Sequence, residues 1–290
     1  MTMFDTIKRS FQLFKLCLRV LAADKELVLF PVFSSIGVIV VILTFMGVGI
    51  GIGAVDRIGA GALGFGDIIV AIAFYILAYF VIIFFNSALV FAAHERLTGG
   101  DPTIRSGLRG ASNRIISIFL WAVVAGTVGL ILNILAGQAR ERGGVLGIVS
   151  QIVVALLGAA WTLLTFFVVP LIVIERRKFG DAFKGSLSMI RSTWGDQVVA
   201  NFGLGIVAFI AFLVAVGIGV LLFFILSPLG SAGTILAIII GAALVIAVAL
   251  LFSTLECIYK AALYNYAVSG DVPSSFIFED APIRDAFRAR

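Results

Sequence analysis

The sequence predicts an all-α fold, a polytopic membrane helical bundle with six transmembrane helices and additional amphipathic in-plane helices. Three observations predict it. Of 290 residues, 61% are hydrophobic and 13% are charged, against about 25% charged in an average soluble domain. Six apolar stretches are each long enough to cross a hydrocarbon core of about 30 Å. The segments between them alternate in positive charge. A soluble globular protein is excluded, because its surface would need more charged side chains.

The six spans are predicted near 27–52, 68–92, 115–136, 146–174, 198–226 and 233–258. They are apolar on every face, whereas the strands of a membrane barrel alternate, so the spans are helices. Pro170 is expected to kink the fourth span near its end. Gly47/Gly51 and Gly49/Gly53 have the spacing that permits close helix contacts, and a flexible outer loop is predicted after them.

The positive charges predict the orientation. Segments 1–26, 93–114, 175–197 and 259–290 hold 18 of the 21 Lys and Arg residues, and the intervening segments hold the other three. Translocated loops are depleted in Lys and Arg, so both termini are expected in the cytoplasm, with the protein in the cell membrane. The first apolar run begins near Leu27, after a charged segment, so no signal peptide is predicted. Cys17 and Cys257 are expected to be free thiols.

A short pattern recurs in the positive segments. The copies TIKRSF, TIRSGL, AFKGSL and PIRDAF begin at Thr6, Thr103, Ala182 and Pro282. Each of the first three precedes two spans, which predicts three units of an in-plane helix plus a hairpin. Within a single membrane domain, 1–290, these units are 1–98, 99–178 and 179–270, and a cytoplasmic tail, 271–290, follows.

Aspartates lie just ahead of the four copies and are predicted to be helix N-caps; they are Asp5, Asp101, Asp181 and Asp280. The in-plane helices are therefore expected within 5–23, 101–113 and 181–194. Their apolar faces would face acyl chains or the bundle, and their bases would face anionic headgroups. The candidate headgroup residues are Lys8, Lys15, Arg19, Arg105 and Lys184. A helix packed against the cytoplasmic ends of the spans is an equal alternative for the first segment.

The spans hold polar rather than charged side chains at depth. These side chains are predicted to bond between helices or to line a pathway; they are Asn86, Asn133, Thr162, Thr165 and Asn201. Three carboxylates, Glu95, Glu175 and Glu256, are predicted at the cytoplasmic boundary as anchors or as partners of nearby bases. Coupled transport through them is the lesser alternative.

Enzyme motifs are incomplete. His94-Glu95 begins like the zinc-protease pattern HExxH, but Thr98 occupies the position of the second histidine. There is no GxSxG elbow and no phosphate-binding GK[ST]. No catalytic, cofactor or metal residues are predicted, and the protein is not expected to be an enzyme.

Three segments carry a family resemblance: FFNSALVFAAHERLTGGDPTIRSGLRGASNRI, WTLLTFFVVPLIVIE and SLSMIRSTWGDQVVANFGLG. They resemble a family of bacterial and archaeal integral-membrane proteins of unknown function. The resemblance covers nearly the whole chain and implies six spans, without supplying site residues. More loosely, the helix-plus-hairpin plan is similar to the membrane domain attached to some glycerophosphodiester phosphodiesterases, whose catalytic domain the sequence lacks.

These features favour a non-enzymatic membrane protein that organises lipids or partner proteins through a basic cytoplasmic collar. The expected partners are membrane lipids, anionic ones above all, with a homo-oligomer or a membrane-protein partner left open. Nucleic acid is not expected, because topology already explains the positive charges. The alternative is a channel or carrier for a small neutral or lipidic substrate. An integral-membrane enzyme ranks third.

Overall fold

The computed structural model describes residues 15, 17–62, 64–141, 143–193 and 198–269. These residues form helices and connecting turns and contain no strand, which confirms the all-α prediction. The chain divides into two compact units. The first unit contains the described parts of Met1–Leu29, Ala93–Pro102 and Thr193–Arg290. The second contains those of Phe30–Ala92 and Thr103–Ser192. The three-unit plan stays a prediction.

The helices are numbered in chain order, and short 3₁₀ turns cover Lys25–Val28 and Ser227–Leu229. The α-helices are α1 (Leu29–Gly51), α2 (Ala54–Gly59), α3 (Phe65–Leu97), α4 (Ile104–Ser112), α5 (Ile115–Glu141), α6 (Gly144–Leu164), α7 (Val168–Val173), α8 (Phe179–Thr193), α9 (Val198–Leu226) and α10 (Ser231–Ser269).

Six helical segments of the described chain are long and apolar enough to cross a membrane. They are Lys25–Gly51, Phe65–Leu97, Ile115–Glu141, Gly144–Val173, Val207–Leu229 and Ser231–Asn265. All six predicted spans are therefore confirmed, and the chain is a multi-pass membrane protein. Their apolar side chains are widely exposed, as the lipid-facing surface of a membrane bundle requires.

Small residues and aromatic rings pack the spans of the second unit. A Cβ on Gly37 of α1 would lie 2.8 Å from a Val81 methyl of α3, so those two backbones approach closely. Tyr79 of α3 lies over Gly129 of α5, whose added Cβ would be 2.9 Å from the tyrosine hydroxyl oxygen. Trp121 of α5 stacks on Trp161 of α6 at a centroid distance of 5.9 Å. Glycine thus creates the close helix contacts between spans.

The glycines that the sequence favoured for this role do not fill it. A Cβ on Gly47, Gly49 or Gly51 would meet no atom within 4 Å in the described part of the chain. The four-residue spacing permits close contact but does not supply a partner helix. The segment after these glycines contains the short helix α2, and its Arg57 pairs with Asp67 in the first turn of α3.

The fourth span is interrupted where Pro170 was expected to kink it. Helix α6 ends at Leu164 and α7 begins at Val168, with Pro170 inside α7. Proline has no N–H to donate to the carbonyl four residues earlier, so the preceding turn loses a helical hydrogen bond. The buried Ser186 of α8 bridges the break: its hydroxyl donates to Leu164 O (2.7 Å) and accepts from Phe167 N (3.2 Å).

The first unit contains a close crossing of α9 and α10. A Cβ on Gly219 would lie 3.4 Å from the Gly241 Cα, so the two backbones touch at this crossing. Elsewhere in the unit Arg96 pairs with Asp24 through two guanidinium nitrogens. Cys17 is fully buried.

Candidate functional site

A cavity of about 370 Å³ lies where the second, third and fourth spans end, within the second unit. Four arginines line it, together with polar and apolar side chains. We call it the arginine pocket; its lining is Phe91, Thr103, Arg105, Ser106, Arg109, Gly110, Asn113, Arg114, Val173 and Arg176. None of these lining residues is acidic.

Helix α4 supplies two of the arginines, and its glycines fix its position. A Cβ on Gly107 would lie 2.5 Å from the Phe30 ring and 2.9 Å from the Ala88 carbonyl oxygen. A Cβ on Gly110 would lie 2.5 Å from the Phe91 ring. Because these glycines form the buried face of α4, the helix presents exposed arginines on its other side.

The start of α4 is fixed by a capping box rather than by the predicted aspartate. Thr103 Oγ1 accepts from Ser106 N, and Ser106 Oγ accepts from Thr103 N, both at 3.0 Å. Asp101 is exposed and accepts from Arg96 Nη2 at 3.1 Å. Thr103 outcompetes it because its hydroxyl lies one residue before the first helical turn.

The N-cap prediction is also wrong for the third copy, since Asp181 lies inside the first turn of α8. A carboxylate there is still stabilised by the positive end of the helix dipole. The other two predicted caps, Asp5 and Asp280, lie outside the described residues.

Arg176 reaches the pocket from the turn after α7. The backbone φ angle of Arg176 is +58°. Among the described residues other than glycine, Arg176 alone adopts this left-handed conformation. A side chain in that conformation costs on the order of 1–2 kcal/mol. Its neighbour Arg177 instead donates to Glu175, with Nε 2.5 Å from Oε2. Strained conformations of this kind concentrate at functional sites.

The pocket concentrates unneutralised positive charge. Among the described residues, no ion pair involves Arg105, Arg109, Arg114 or Arg176, whereas Arg57, Arg96 and Arg177 all pair with carboxylates. Guanidinium groups stay protonated at any physiological pH. The pocket therefore carries four fixed positive charges and can hold an anion through several charge-assisted hydrogen bonds.

The structure distributes the predicted headgroup residues differently. Arg105 lines the pocket, and Lys184 is exposed on α8 without lining it. In the first unit Lys15 is exposed and Arg19 is half-buried. Lys8 lies outside the described residues. Binding of headgroups by these residues stays a prediction.

Sequence reasoning did not select Arg109, Arg114 and Arg176 as headgroup residues. The four-residue spacing of Arg105 and Arg109 is visible in TIRSGLRG and places both on one helix face. Arg176 gives no such signal, because its place depends on the break between α6 and α7.

The predicted deep polar residues include two threonines bonded to their own helix. Thr162 Oγ1 donates to Gly158 O (2.9 Å), and Thr165 Oγ1 donates to Trp161 O (2.8 Å). Asn86 is half-buried and Asn133 is exposed. The side chain of Asn201 is outside the described set. Each threonine hydroxyl thus donates its hydrogen bond to a carbonyl of its own helix rather than to a group on a neighbouring span.

The three predicted boundary carboxylates lie beside bases or at half-buried positions. Glu175 pairs with Arg177, and Glu256 pairs with Lys260 at 2.7 Å, one helical turn away. Glu95 is half-buried. Their position at a cytoplasmic boundary stays a prediction.

His94 belongs to a polar contact in the first unit. Its Nδ1 lies 2.6 Å from Asn265 Oδ1 on α10, and its ring meets Tyr264 edge-on at 6.3 Å between centroids. Among the described residues, no group of three His, Cys, Asp or Glu side chains could hold a metal ion.

At the other end of the second span, Arg57 donates to Asp67 through Nε (2.9 Å) and Nη2 (2.5 Å). The Asp67 side chain is only 3% exposed, against 41% for Arg57, and it also accepts from Gly64 N at 2.9 Å. The hydrogen bond to Asp67 raises the pKa of the Arg57 guanidinium above its ordinary value. This pair closes the outer loop onto the second span.

A profile described as "Family of unknown function (DUF6159)" matches residues 65–274. The chain belongs to this family. The matched region includes every residue that lines the arginine pocket. It begins after α1, so the N-terminal bases Lys8, Lys15 and Arg19 lie outside it.

No curated protein and no solved structure matches the chain. The profile match confirms the resemblance to a family of unknown function over residues 65–274 rather than over nearly the whole chain, and the looser resemblance to the membrane domain of glycerophosphodiester phosphodiesterases receives no support.

Proposed function

We propose that this member of DUF6159 binds anionic phospholipids at the cytoplasmic face of the cell membrane, through the arginine pocket, and organises lipids without acting as an enzyme. The observation that carries the proposal is the grouping of four guanidinium groups, with no acidic lining residue, where three spans end. Lipid phosphates lie at the corresponding depth of a bilayer. Arginine is well suited to them, because its planar fork matches phosphate oxygens in pairs.

Electrostatics favours the cytoplasmic leaflet as the source of the ligand. That leaflet carries a negative surface potential, and each nearby Lys or Arg contributes about 1 kcal/mol of attraction. The pocket's lining includes residues of segments 93–114 and 175–197, two of the four segments rich in positive charge. The positive-inside rule supports the same orientation, with both termini in the cytoplasm. The exposed Lys184 of the same unit would add diffuse attraction to the leaflet, and headgroup contacts of Lys8, Lys15 and Arg19 stay part of the proposal.

The alternative function, a channel or carrier for a small neutral or lipidic substrate, has weaker support. The Thr162 and Thr165 hydroxyls bond within their own helix. Four fixed positive charges at the ends of the spans would also not select a neutral substrate.

A charge-matched pair of variants tests the proposal. Arg105→Gln/Arg109→Gln removes two charges from the pocket. Lys178→Gln/Lys184→Gln removes two charges from exposed side chains of the same unit that do not line it. Binding of labelled phosphatidylglycerol to protein in phosphatidylcholine nanodiscs is measured for both.

The pocket variant should bind about thirtyfold more weakly, since two bases contribute about 2 kcal/mol. The control variant should lose much less, because its charges act only diffusely. An equal loss of affinity in both variants would mean that positive charges spread over the surface bind the lipid, rather than the arginine pocket. Unchanged affinity in both variants would contradict lipid binding by this surface.

Orientation is checked separately with single cysteines at exposed positions, in a background free of Cys17 and Cys257. An impermeant thiol reagent added to intact cells should label Ala62→Cys and Ser231→Cys and should spare Ser112→Cys. Labelling of Ser112→Cys alone would place the pocket on the outer face.

A further inference from the structure

The composition of the arginine pocket restricts which anionic headgroup fits it, and this inference rests on the proposed function. The charged side chains of the lining are all arginines, and no lining carboxylate is available to a cation. Headgroups that carry an ammonium, such as serine or ethanolamine, would bring a positive charge among four others. Like charges in one site repel, so such headgroups are disfavoured.

The number of charges favours a dianion. A phosphodiester headgroup carries one negative charge and leaves three of the four guanidinium groups unbalanced. A phosphomonoester carries up to two charges and three terminal oxygens. It can therefore accept paired hydrogen bonds from more than one arginine at once.

The remaining lining accommodates the rest of such a lipid. The Thr103 hydroxyl accepts a hydrogen bond in the capping box and can still donate one, since a hydroxyl carries a donor hydrogen beside its lone pairs. Phe91 and Val173 supply the apolar side of the same cavity. A phosphate held by the arginines would therefore have an apolar wall beside its glycerol and acyl part.

We infer that the arginine pocket selects lipids with a terminal phosphomonoester, of the phosphatidic acid type, over phosphodiester lipids and over zwitterionic ones. The ligand is the membrane lipid itself rather than a soluble phosphate, because the pocket lies at the ends of spans and has an apolar side.

The second ionisation of a phosphomonoester provides the test, because its pKa is about 6. Every titratable group that lines the pocket is an arginine, and none of these changes charge between pH 5 and 8. A pH dependence that phosphatidic acid shows and phosphatidylglycerol does not therefore comes from the lipid.

Binding of labelled phosphatidic acid and labelled phosphatidylglycerol is compared in phosphatidylcholine nanodiscs at about pH 5 and about pH 7.5. Phosphatidic acid should bind about tenfold more tightly at the higher pH, as its dianion forms. Phosphatidylglycerol should bind more weakly at that pH and show no such rise. The rise should disappear in Arg105→Gln/Arg109→Gln and persist in Lys178→Gln/Lys184→Gln, and size-exclusion profiles confirm that each variant is folded.

Equal binding of the two lipids with a flat pH response would overturn the phosphomonoester preference. The proposed function would survive that result if both lipids still lost affinity in the pocket variant, and it would fail if neither did. Soluble glycerol 3-phosphate serves as a competitor: displacement of the lipid at equal concentration would contradict a lipid ligand, whereas a need for large excess supports it.

Discussion

Gly107 of α4 contacts Phe30 of α1 so closely that a Cβ on residue 107 would lie 2.5 Å from the Phe30 Cζ. Both residues are in the second unit. Only a residue without a side chain allows this approach, so Gly107 sets where α4, and with it Arg105 and Arg109, lies against the spans.

Replacement of Gly107 by alanine should destabilise the protein and weaken lipid binding. Overpacking of a close contact typically costs about 1–3 kcal/mol. A lower Tm in detergent and a weaker affinity for anionic lipid are expected together. Gly180→Ala is the matched control, since its Cβ would meet nothing within 4 Å. A Gly107→Ala protein with unchanged Tm and affinity would show that α4 is positioned otherwise.

Two substitutions of Arg176 separate the strain in its backbone from the contribution of its side chain to lipid binding. Glycine adopts positive φ without strain, so Arg176→Gly should be more stable than Arg176→Ala by about 1 kcal/mol. Both variants should lose affinity for anionic lipid equally, because both lack the guanidinium. Chemical or thermal unfolding gives the first comparison, and nanodisc binding gives the second. If alanine proved as stable as glycine, the left-handed conformation would not be strained.

The capping box predicts which of two neighbouring residues stabilises α4. Thr103→Ala should cost about 1 kcal/mol, because it leaves a helix N–H without its acceptor. Asp101→Ala removes an exposed ion pair with Arg96 and should cost less, about 0.5 kcal/mol. Unfolding of both variants in the same detergent ranks them. A larger loss of stability in Asp101→Ala than in Thr103→Ala would indicate that Asp101 is the N-cap.

Cys17 should be unreactive in the folded protein. Burial raises the pKa of its thiol from 9.0 to about 12, and the thiolate is the species that reacts. In a Cys257→Ala background, alkylation of Cys17 at pH 8 should be slow until the protein is unfolded. A cysteine at the exposed Ser112, in a background without both native cysteines, should react readily. Equal rates in the folded state would contradict a buried Cys17.

The raised pKa of Cys17 also predicts how the stability of the protein changes with pH. Below pH 9 the thiol is protonated in both states and its contribution is constant. As the pH rises from about 9 towards 12, only the unfolded chain releases the proton, so the free energy of unfolding falls. Cys17→Ala should lose less stability across that range than the parent protein.

The spans were predictable because length and hydropathy decide whether a helix can cross a bilayer. The predicted fifth span, 198–226, coincides with α9, and the third begins at Ile115 as expected. Flanking polar turns extend several helices further: α3 continues to Leu97 rather than residue 92. Such extensions carry little hydropathy signal, since they lie outside the hydrocarbon.

The candidate site was predictable only in part. Arg105 follows from the recurring pattern. The roles of Gly107 and Gly110 do not, since glycine has low helix propensity, whereas the structure uses both residues as the contact face of α4. Which atoms a glycine meets depends on tertiary packing, which local propensity does not encode. Likewise, the position of Arg176 depends on the turn after α7.

Photo-crosslinking shows directly whether anionic lipid occupies the arginine pocket. A photoactivatable anionic phospholipid, with the reactive group near its phosphate, is incorporated into nanodiscs with the protein, and adducts are mapped by peptide mass spectrometry. Adducts should concentrate on residues 91–114 and 173–176, and Arg105→Gln/Arg109→Gln should reduce them while Lys178→Gln/Lys184→Gln leaves them largely intact. Adducts spread evenly over the positive segments, with no loss in the pocket variant, would contradict an arginine pocket that binds anionic lipid.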